Sequence, residues 1–553
     1  MADASFDVVV IGGGQQGLVI SNYLACNGMT VGLFEQRQEL GGCAASDPSP
    51  AAGFIGNPHA EYLGFWNSPV NQDFRLHEKG LSFIFPEVQG AMVYPNDKCL
   101  VAYTSVQWDK ETGMITPQSE MIEKNIKEVA RISSRDAETL AKLAEKRFFD
   151  WFMAILQHLY NPPPLPGEPD PIENLLNDPK SGLHPSYQFM TEMEVLSNFF
   201  ESAELKAFCI TWNHYNFVYA DDVAPIPMAL LPLATVFGVS GMSLARGGTH
   251  SVAHALQRAL SEQGGEFFVG ADVDKVLVEH GRARGIRLAD GTEIEAKKLV
   301  IDSAGVEQVI NRHLREVPLS SDIRRKVNKL RHDRGQVFWG QLAIHEPPRY
   351  RAESWNPDVG KALWLRMGDP DVEYLFREYR YQAQHISPGH WPSKMYPTGS
   401  VNSLLDPSYS PAGKYLAQVG EGCGPLASWL SEREWMQVKK EFADVLLEEW
   451  QKYAPNMTWD NVVAVNIGTP YDHQQRNANF VEGDVQPPAI TPSQWGKYRP
   501  IPELAQYHVP GIESFYLASG HHNVGLLGCS GYNCYKRIAQ KLGLKKPWEG
   551  RLL

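Results

Sequence analysis

The stretch VVVIGGGQQGLVISNYLACNGMTVGLFEQ, residues 8 to 36, constrains the fold more than any other part of the chain. Residues 8–11 are all β-branched and suit a buried strand, and apolar residues at helical spacing follow from Leu18. A second apolar run ends at Glu35. The order strand, glycine turn, helix and strand is typical of the first unit of a Rossmann-type α/β sheet.

The three glycines of the turn match the pattern G-x-G-x-x-G. Gly12 permits a tight turn, Gly14 lets the backbone approach a pyrophosphate, and Gly17 lets the helix pack closely on the strand. The helix N-terminus then directs free N–H groups at that pyrophosphate. Glu35 follows Gly17 by 18 residues, where its carboxylate accepts both ribose hydroxyls and repels a 2′-phosphate. The pattern therefore predicts FAD or NAD rather than NADP.

A second glycine pair decides between the two dinucleotides. Gly41 and Gly42 come shortly after Glu35 and Arg37, where a second close backbone approach is needed. An NAD-binding domain has no evident use for such a pair, whereas FAD in an extended pose passes this loop with its pyrophosphate. We therefore predict FAD as the cofactor.

Charge and cysteine content exclude several classes of protein. A net charge of −13 and the lack of any basic stripe argue against a nucleic-acid partner. The seven cysteines form neither C-x-x-C pairs nor zinc spacing, so we predict no metal site. With an odd cysteine count and no export signal, a reducing cytoplasm is the expected compartment.

Two apolar stretches bear on contact with a membrane. Residues 223–239 are interrupted by three prolines and are shorter than the roughly 20 residues that a span needs, so we predict a buried wall. Residues 147–160 fit an amphipathic helix that packs in the core; a channel lining or a membrane-surface patch are the alternatives. We expect no transmembrane segment and leave peripheral membrane contact open.

The chain alternates between two kinds of segment. Long helices over residues 119–160 end at the proline-rich stretch 161–171, and dinucleotide-domain patterns return from about residue 241. The fold class expected is α/β, a Rossmann-type FAD-binding domain with a mixed α+β substrate domain. We expect the FAD-binding domain to comprise residues 1–115, 241–310 and 486–553, and the substrate domain to comprise a mainly helical insertion, 116–240, and residues 311–485.

Four segments carry a family resemblance. They read VVVIGGGQQGLVISNYLACNGMTVGLFEQRQELGG, RGGTHSVAHALQRAL continued by GGEFFVGADVDKVLV, KLVIDSAG and RPIPELAQYHVPGIESFYLASGHHNVGLLGCSGYN. In order and approximate spacing they resemble the phytoene desaturase-like FAD-dependent oxidoreductases, above all the phytoene-dehydrogenase-related subgroup. That subgroup includes carotenoid desaturases and isomerases and retinol saturase-like enzymes. The resemblance is specific over about the first 60 residues, over 240–310 and over 485–540, and loose elsewhere.

The resemblance also implies which residues contact FAD. Val273 is expected to meet the adenine end through its backbone, and Gly520 to approach the pyrophosphate. If the strand before Ala304 and Gly305 joins the same parallel sheet, those two residues lie beside the first glycine turn. The residues assigned to cofactor binding are Gly12, Gly14, Gly17, Glu35, Gln36, Arg37, Gly41, Gly42, Val273, Ala304, Gly305, Gly520 and Asn523.

The chain departs from the family where the isoalloxazine is expected. The family usually has a proline- and glycine-rich loop there, whereas this chain reads GHHNVGLLGCSGYN. We predict His521 and His522 as catalytic candidates, because imidazole can act near neutral pH as a general base or as a donor to a carbonyl. The alternative is that they only hydrogen-bond the flavin or the loop backbone. The predicted substrate-pocket residues, with core packing as the alternative, are Trp212, His214, Tyr215 and Tyr219.

The resemblance implies a flavin-dependent dehydrogenase that introduces a C=C bond into a hydrophobic small molecule. Hydride would pass to flavin N5 while a base or water takes the neighbouring proton. Three alternatives stay open: a redox-neutral isomerase that uses reduced FAD, a flavin amine oxidase, and a non-catalytic binding protein like the prenyl-protein escorts. The intact glycine turn counts against the last. The sequence does not choose the substrate among isoprenoid, acyl and alicyclic compounds, or the electron acceptor among O2, a quinone and a protein, and the oligomeric state stays open.

Overall fold

The computed structural model describes residues 2–64, 68–109, 115–165, 167–214, 216–225, 229, 232–234, 237, 241–523 and 528–549. Its helices are α1 Gln15–Ala25, α2 Pro69–Asp73, α3 Ser119–Ala130, α4 Ser134–Lys146, α5 Phe148–Tyr160, α6 Pro171–Asn177, α7 Glu192–Ser197, α8 Ala203–His214, α9 His250–Glu262, α10 Val306–Gln308, α11 Ser321–Val327, α12 Val372–Arg377, α13 Tyr379–Gln384, α14 Glu432–Gln451, α15 Pro470–Arg476 and α16 Cys529–Leu542. Its strands are β1 Ala4–Ile11, β2 Val31–Glu35, β3 Tyr62–Leu63, β4 Phe83–Ile84, β5 Val88–Val93, β6 Cys99–Tyr103, β7 Val106–Trp108, β8 Ile115–Pro117, β9 Ser243–Ala245, β10 Glu266–Val269, β11 Val273–Glu279, β12 Arg282–Leu288, β13 Glu293–Asp302, β14 Phe338–Ile344, β15 Trp364–Met367, β16 Thr398–Ser400, β17 Tyr415–Glu421, β18 Val462–Gly468 and β19 Phe515–Leu517.

The first sheet has the architecture that the glycine turn predicts. Its strands run in the order β10-β2-β1-β13-β12-β11, and β19 pairs with the carboxyl-terminal end of β13. Strands β10, β2, β1, β13 and β19 are parallel, while β11, β12 and β13 form an antiparallel meander. Helices α1 and α16 pack together, and every residue of α1 is buried. Because the carboxyl ends of parallel strands meet at one edge, the loops after β1, β2, β13 and β19 converge there.

A second sheet builds the rest of the core. Its order is β18-β14-β17-β16-β15-β5-β6, and the pairing is antiparallel except between β5 and β15. Helix α14 packs against it, with the ring of Phe442 stacked on Phe338 of β14 at 4.8 Å between centroids. This sheet carries the α+β character expected for the substrate domain.

The chain reaches the second sheet earlier than the expected boundary at residue 115. Strands β5 and β6 already pair within that sheet, and β6 ends at Tyr103. All residues of both strands are buried, so no change of composition marks the crossing. The helical insertion then follows as α3 to α8.

The described residues of the two apolar stretches are mostly buried. The described part of the stretch 223–239 is mostly buried, with Val223 the exception at 40% exposure. Helix α5 buries Trp151, Ile155 and Leu159 in the main core. No helix in the described ranges combines the length and apolarity that crossing a membrane requires.

Candidate active site

The glycine turn is shaped by three different constraints. Gly12 has a φ of +89°, which favours glycine. A Cβ on Gly17 would lie 2.0 Å from the carbonyl oxygen of Gly12, so helix and strand can approach only through a glycine. A Cβ on Gly14 would meet nothing closer than the Cα of Gly42, at 4.0 Å, because this side of the turn opens into a cleft. The turn therefore leaves room for a ligand at Gly14.

The ends of the sheet bring the second glycine pair and the later loops to the same place. Gly41 donates its N–H to the carbonyl of Gly13 at 2.9 Å, which holds the 41–42 loop against the turn. On the other side, Ser303 Oγ donates to the carbonyl of Gly12 at 2.9 Å. A Cβ on Gly520 would have no atom within 4 Å. Ala304, Gly305 and Gly520 all line the cleft. The first two are expected there if their strand joins the parallel sheet, and Gly520 is expected there from the family resemblance.

Glu35 stands at the end of β2 with its carboxylate fixed by the backbone. Its Oε2 accepts from the N–H of Gly13 at 2.7 Å, and its Oε1 from the N–H of Arg37 at 2.8 Å. Each oxygen keeps a lone pair for a further donor, which suits the two hydroxyls of a ribose. Gln36, Arg37 and Val273 line the same end of the cleft.

His521 belongs to a buried cluster with Glu307 and His332. Glu307 Oε1 lies 2.7 Å from His332 Nε2, and Glu307 Oε2 lies 3.2 Å from His521 Nδ1. Burial works to raise the pKa of Glu307, but the two imidazoles outweigh it and hold this pKa well below its usual range. Burial likewise works to lower the pKa of His332, but the Glu307 carboxylate outweighs it and raises this pKa. His521 lines the cleft, and its Nε2 has no hydrogen-bond partner among the described residues.

His522 and Asn523 point elsewhere. His522 Nε2 lies 3.0 Å from the carbonyl oxygen of Leu504, and its ring stacks on Tyr507 at 4.7 Å. Burial lowers the pKa of His522 to about 3. Asn523 Nδ2 donates to the carbonyl of Leu159 at 2.9 Å. Neither side chain is among the described residues that line the cleft, so this environment favours a packing role for both.

The whole cleft has a cavity volume of about 380 Å³, within the usual range for ligand pockets, and one part of its lining is an apolar arm. Helix α5 forms one wall of the cleft and also packs in the core. Core packing and a channel lining were the alternatives for this stretch in the sequence analysis. The apolar residues of the arm include Phe152, Ile155, Leu156, Leu159, Val337, Trp339, Met242 and Phe480.

The predicted pocket residues separate into lining and packing positions. His214 lines the cleft. Trp212 packs on Trp364 with 4.6 Å between ring centroids, and Tyr219 donates its hydroxyl to the carbonyl of Arg334 at 3.1 Å. Tyr215 lies outside the described residues.

Several residues that line the cleft belong to none of the sequence motifs described above. His59 and His473 face each other with 5.2 Å between ring centroids, and both line the cleft. Burial holds the pKa of His59 well below its usual range and lowers the pKa of His473 to about 4, so both rings are neutral. Arg366 and Glu421, from β15 and β17, line the inner end. No group of three or more potential ligands in the described ranges could hold a metal ion.

Glycines at the first turn, at residues 41–42 and at residue 520 border one stretch of the cleft, which fits a dinucleotide in an extended pose. The Glu35 carboxylate lines the same cleft. The fold and the cleft define the class: an FAD-dependent oxidoreductase.

Comparisons with known proteins narrow this class. Residues 10–76 match a family model described as an NAD(P)-binding Rossmann-like domain. The chain is 24% identical over 582 residues to a limonene dehydrogenase subunit of Castellaniella defragrans, in a match that spans 98% of this chain and 96% of that protein. It is 23% identical over 325 residues to prolycopene isomerase 1 of an Oncidium hybrid cultivar, with 55% and 48% covered. A solved oxidoreductase structure from Methanosarcina mazei has a TM-score of 0.58 at 16% identity, over 96% of this chain and 99% of that chain. The chain is thus similar to a dehydrogenase, an isomerase and a phytoene desaturase, in agreement with the resemblance of the sequence segments to the phytoene desaturase-like FAD-dependent oxidoreductases.

Proposed function

We propose that the protein is an FAD-dependent dehydrogenase that introduces a C=C bond into a hydrophobic small molecule. The observation that carries this proposal is the apolar arm, which opens onto the dinucleotide part of the same cleft. An apolar substrate in this arm would contact α5 and Trp339 and would lie beside a cofactor held at the glycine loops. The likeness to the limonene dehydrogenase subunit, named for a hydrocarbon substrate, supports the same function.

In this proposal the protein's residues bind the cofactor and accept one proton from the substrate. The cofactor-binding residues predicted from the sequence, above all Gly14, Gly42 and Glu35, would hold FAD, which supplies a hydride acceptor when bound. His521 Nε2 would take the substrate proton, because it lines the cleft and has no hydrogen-bond partner among the described residues. For this role Nδ1 must donate its proton to Glu307 Oε2, 3.2 Å away, in place of the hydrogen bond that it accepts from the N–H of Val306 at 3.3 Å.

Anaerobic mixing tests the proposal. The oxidised holoprotein is mixed with a cyclic terpene, a long polyene, an alicyclic acid, a fatty acid and a primary amine while visible flavin absorbance is recorded. We expect bleaching by at least one hydrophobic compound and a product with two hydrogens fewer, by mass spectrometry. The proposal fails if none of the hydrophobic compounds bleaches the flavin, or if only the amine does.

The likeness to prolycopene isomerase 1 favours one second candidate, a redox-neutral isomerase. With this activity, protein carrying reduced FAD would convert the substrate to a product of unchanged mass, with no net change in flavin absorbance. The mass of the product therefore distinguishes the two candidates.

Replacing His522 with Phe tests its packing role. The aromatic contact with Tyr507 is kept while the Leu504 carbonyl loses its partner, so we expect the free energy of unfolding to fall by about 1–2 kcal/mol. Urea unfolding measures this change. The rate of flavin bleaching should stay within about threefold of wild type, since general-base loss costs roughly 10²-fold or more. A large drop in that rate with unchanged stability would instead place His522 in the chemistry.

A further inference from the structure

The inner end of the apolar arm contains a buried guanidinium. Arg366, on β15, is 3% exposed and lines the cleft. Its Nη1 donates to the carbonyl of Tyr396, and its Nε has no hydrogen-bond partner in the described part of the chain. Among the described residues, no carboxylate oxygen lies within 4.0 Å of its nitrogens. A buried charge with no ion pair is unfavourable unless a ligand compensates it.

Glu421 also lines the cleft and is subject to the charge of Arg366, but its oxygens are already engaged. Oε1 accepts from the Tyr379 hydroxyl and from the N–H of Gly422 at 3.2 Å, and Oε2 accepts from the N–H of Tyr396 at 2.9 Å. Burial raises the pKa of Glu421, with the positive charge of Arg366 acting against it. Glu421 therefore moderates the charge at this end of the cleft without forming an ion pair with the guanidinium.

His214 adds a second unsatisfied polar group at the same end. It is 1% exposed, lines the cleft, and neither ring nitrogen has a hydrogen-bond partner among the described residues. Its ring stacks on Tyr379, with 4.9 Å between centroids and 2° between planes. Burial, with the charge of Arg366, holds its pKa well below the usual range, so the neutral ring keeps one N–H to donate.

We propose that Arg366 and His214 form a carboxylate-binding subsite, so that the substrate is a hydrophobic acid whose apolar body fills the arm. A guanidinium offers a planar pair of donors that matches a carboxylate. The subsite suits a ligand with one negative charge, because the second charge of a dianion would be repelled by the Glu421 carboxylate. This inference rests on the proposed function, whose reaction leaves the carboxylate unchanged and uses it only for orientation.

Equilibrium binding to the oxidised holoprotein tests the subsite without turnover. Cyclohexanecarboxylate and octanoate are titrated beside their primary amides and the parent hydrocarbons, with calorimetry and the flavin spectrum as readouts. We expect each acid to bind at least about tenfold more tightly than its amide, as a charge-assisted bidentate pair should. Equal affinities, or no binding of either acid at millimolar concentration, would overturn the inference.

Two variants make the assignment specific. Arg366→Gln should remove the preference for acid over amide, whereas Arg377→Gln removes an exposed guanidinium of the same domain and should keep it. Because Arg366→Gln changes a buried side chain, its melting temperature is measured to confirm that it folds. His214→Phe is a second variant, which should weaken acid binding more than amide binding. Retention of the preference in a folded Arg366→Gln protein contradicts the proposal. Acid binding without bleaching would count against the dehydrogenase alone, while bleaching without acid preference would count against the subsite alone.

Discussion

The Gly14→Ala protein is expected to fold as stably as wild type and to purify without flavin. The added methyl meets only the Cα of Gly42 at 4.0 Å, and the φ of −64° at residue 14 is accessible to alanine. The unfolding free energy should therefore change by less than about 1 kcal/mol. The methyl nevertheless occupies the side of the turn that opens into the cleft. We expect FAD to bind about 100-fold more weakly, equivalent to about 2.7 kcal/mol.

Two further glycine variants provide the comparison. In Gly17→Ala the new Cβ would lie 2.0 Å from the carbonyl oxygen of Gly12, so we expect a loss of about 3 kcal/mol or more of stability together with loss of flavin. In Gly360→Ala the nearest atom is 3.7 Å away, and neither property should change. Flavin absorbance per protein and thermal melting of the apoprotein measure both. If Gly14→Ala contained as much flavin as wild type, the glycine turn would not be part of the cofactor site.

Replacing Glu307 with Gln is expected to produce a pH-dependent loss of stability and a slower reaction. Glu307 is the carboxylate between His332 and His521, so its removal takes the charge from a buried cluster. We expect a loss of about 2–4 kcal/mol near pH 5.5. The bleaching rate should fall about tenfold or more, because the ring of His521 loses the group that orients it.

The pH dependence follows from the two shifted pKa values. The pKa of His332 is raised in the folded state, so its contribution is complete below about pH 6.5 and is lost as the pH rises through the folded pKa. The pKa of Glu307 is lowered, so its contribution is present above about pH 4.3 and is lost as the pH falls. The difference between wild type and variant should therefore be largest between these two values and smaller at pH 8.5.

Urea unfolding at pH 5.5 and pH 8.5 measures this difference. Glu373→Gln is a matched control, because Glu373 forms an exposed pair with Arg377 and its loss should cost no more than about 0.5 kcal/mol at either pH. An equal loss in Glu307→Gln at both pH values would show that the carboxylate acts through packing and not through the charge of His332.

The dinucleotide end of the cleft could be predicted from the sequence because its signals are local. The roles of Gly12, Gly14 and Gly17 follow from their spacing, and Glu35 ends the strand that the pattern predicts. The loop at Ala304 could be placed from the expectation that its strand joins the parallel sheet, whereas Gly520 could be placed only through the family resemblance.

The substrate end could not be predicted in the same way. Arg366 and Glu421 come from different strands of a mainly antiparallel sheet, and no motif links them. Helix α8 is buried on almost every side, so periodicity could not show that His214 would face the cleft and Trp212 would not. His521 and His522 diverge because they follow one another in a 3₁₀ turn, where neighbouring side chains point about 120° apart.

The pairing of β19 with β13 has a consequence for biosynthesis. Strand β19 and helix α16 contribute one side of the crevice, yet they are synthesised long after the glycine turn. Nascent polypeptide emerging before residue 515 offers the prosthetic group only an unfinished crevice. The flavin can therefore be captured only after residues 515–542 have been synthesised, and shorter nascent chains should carry no flavin.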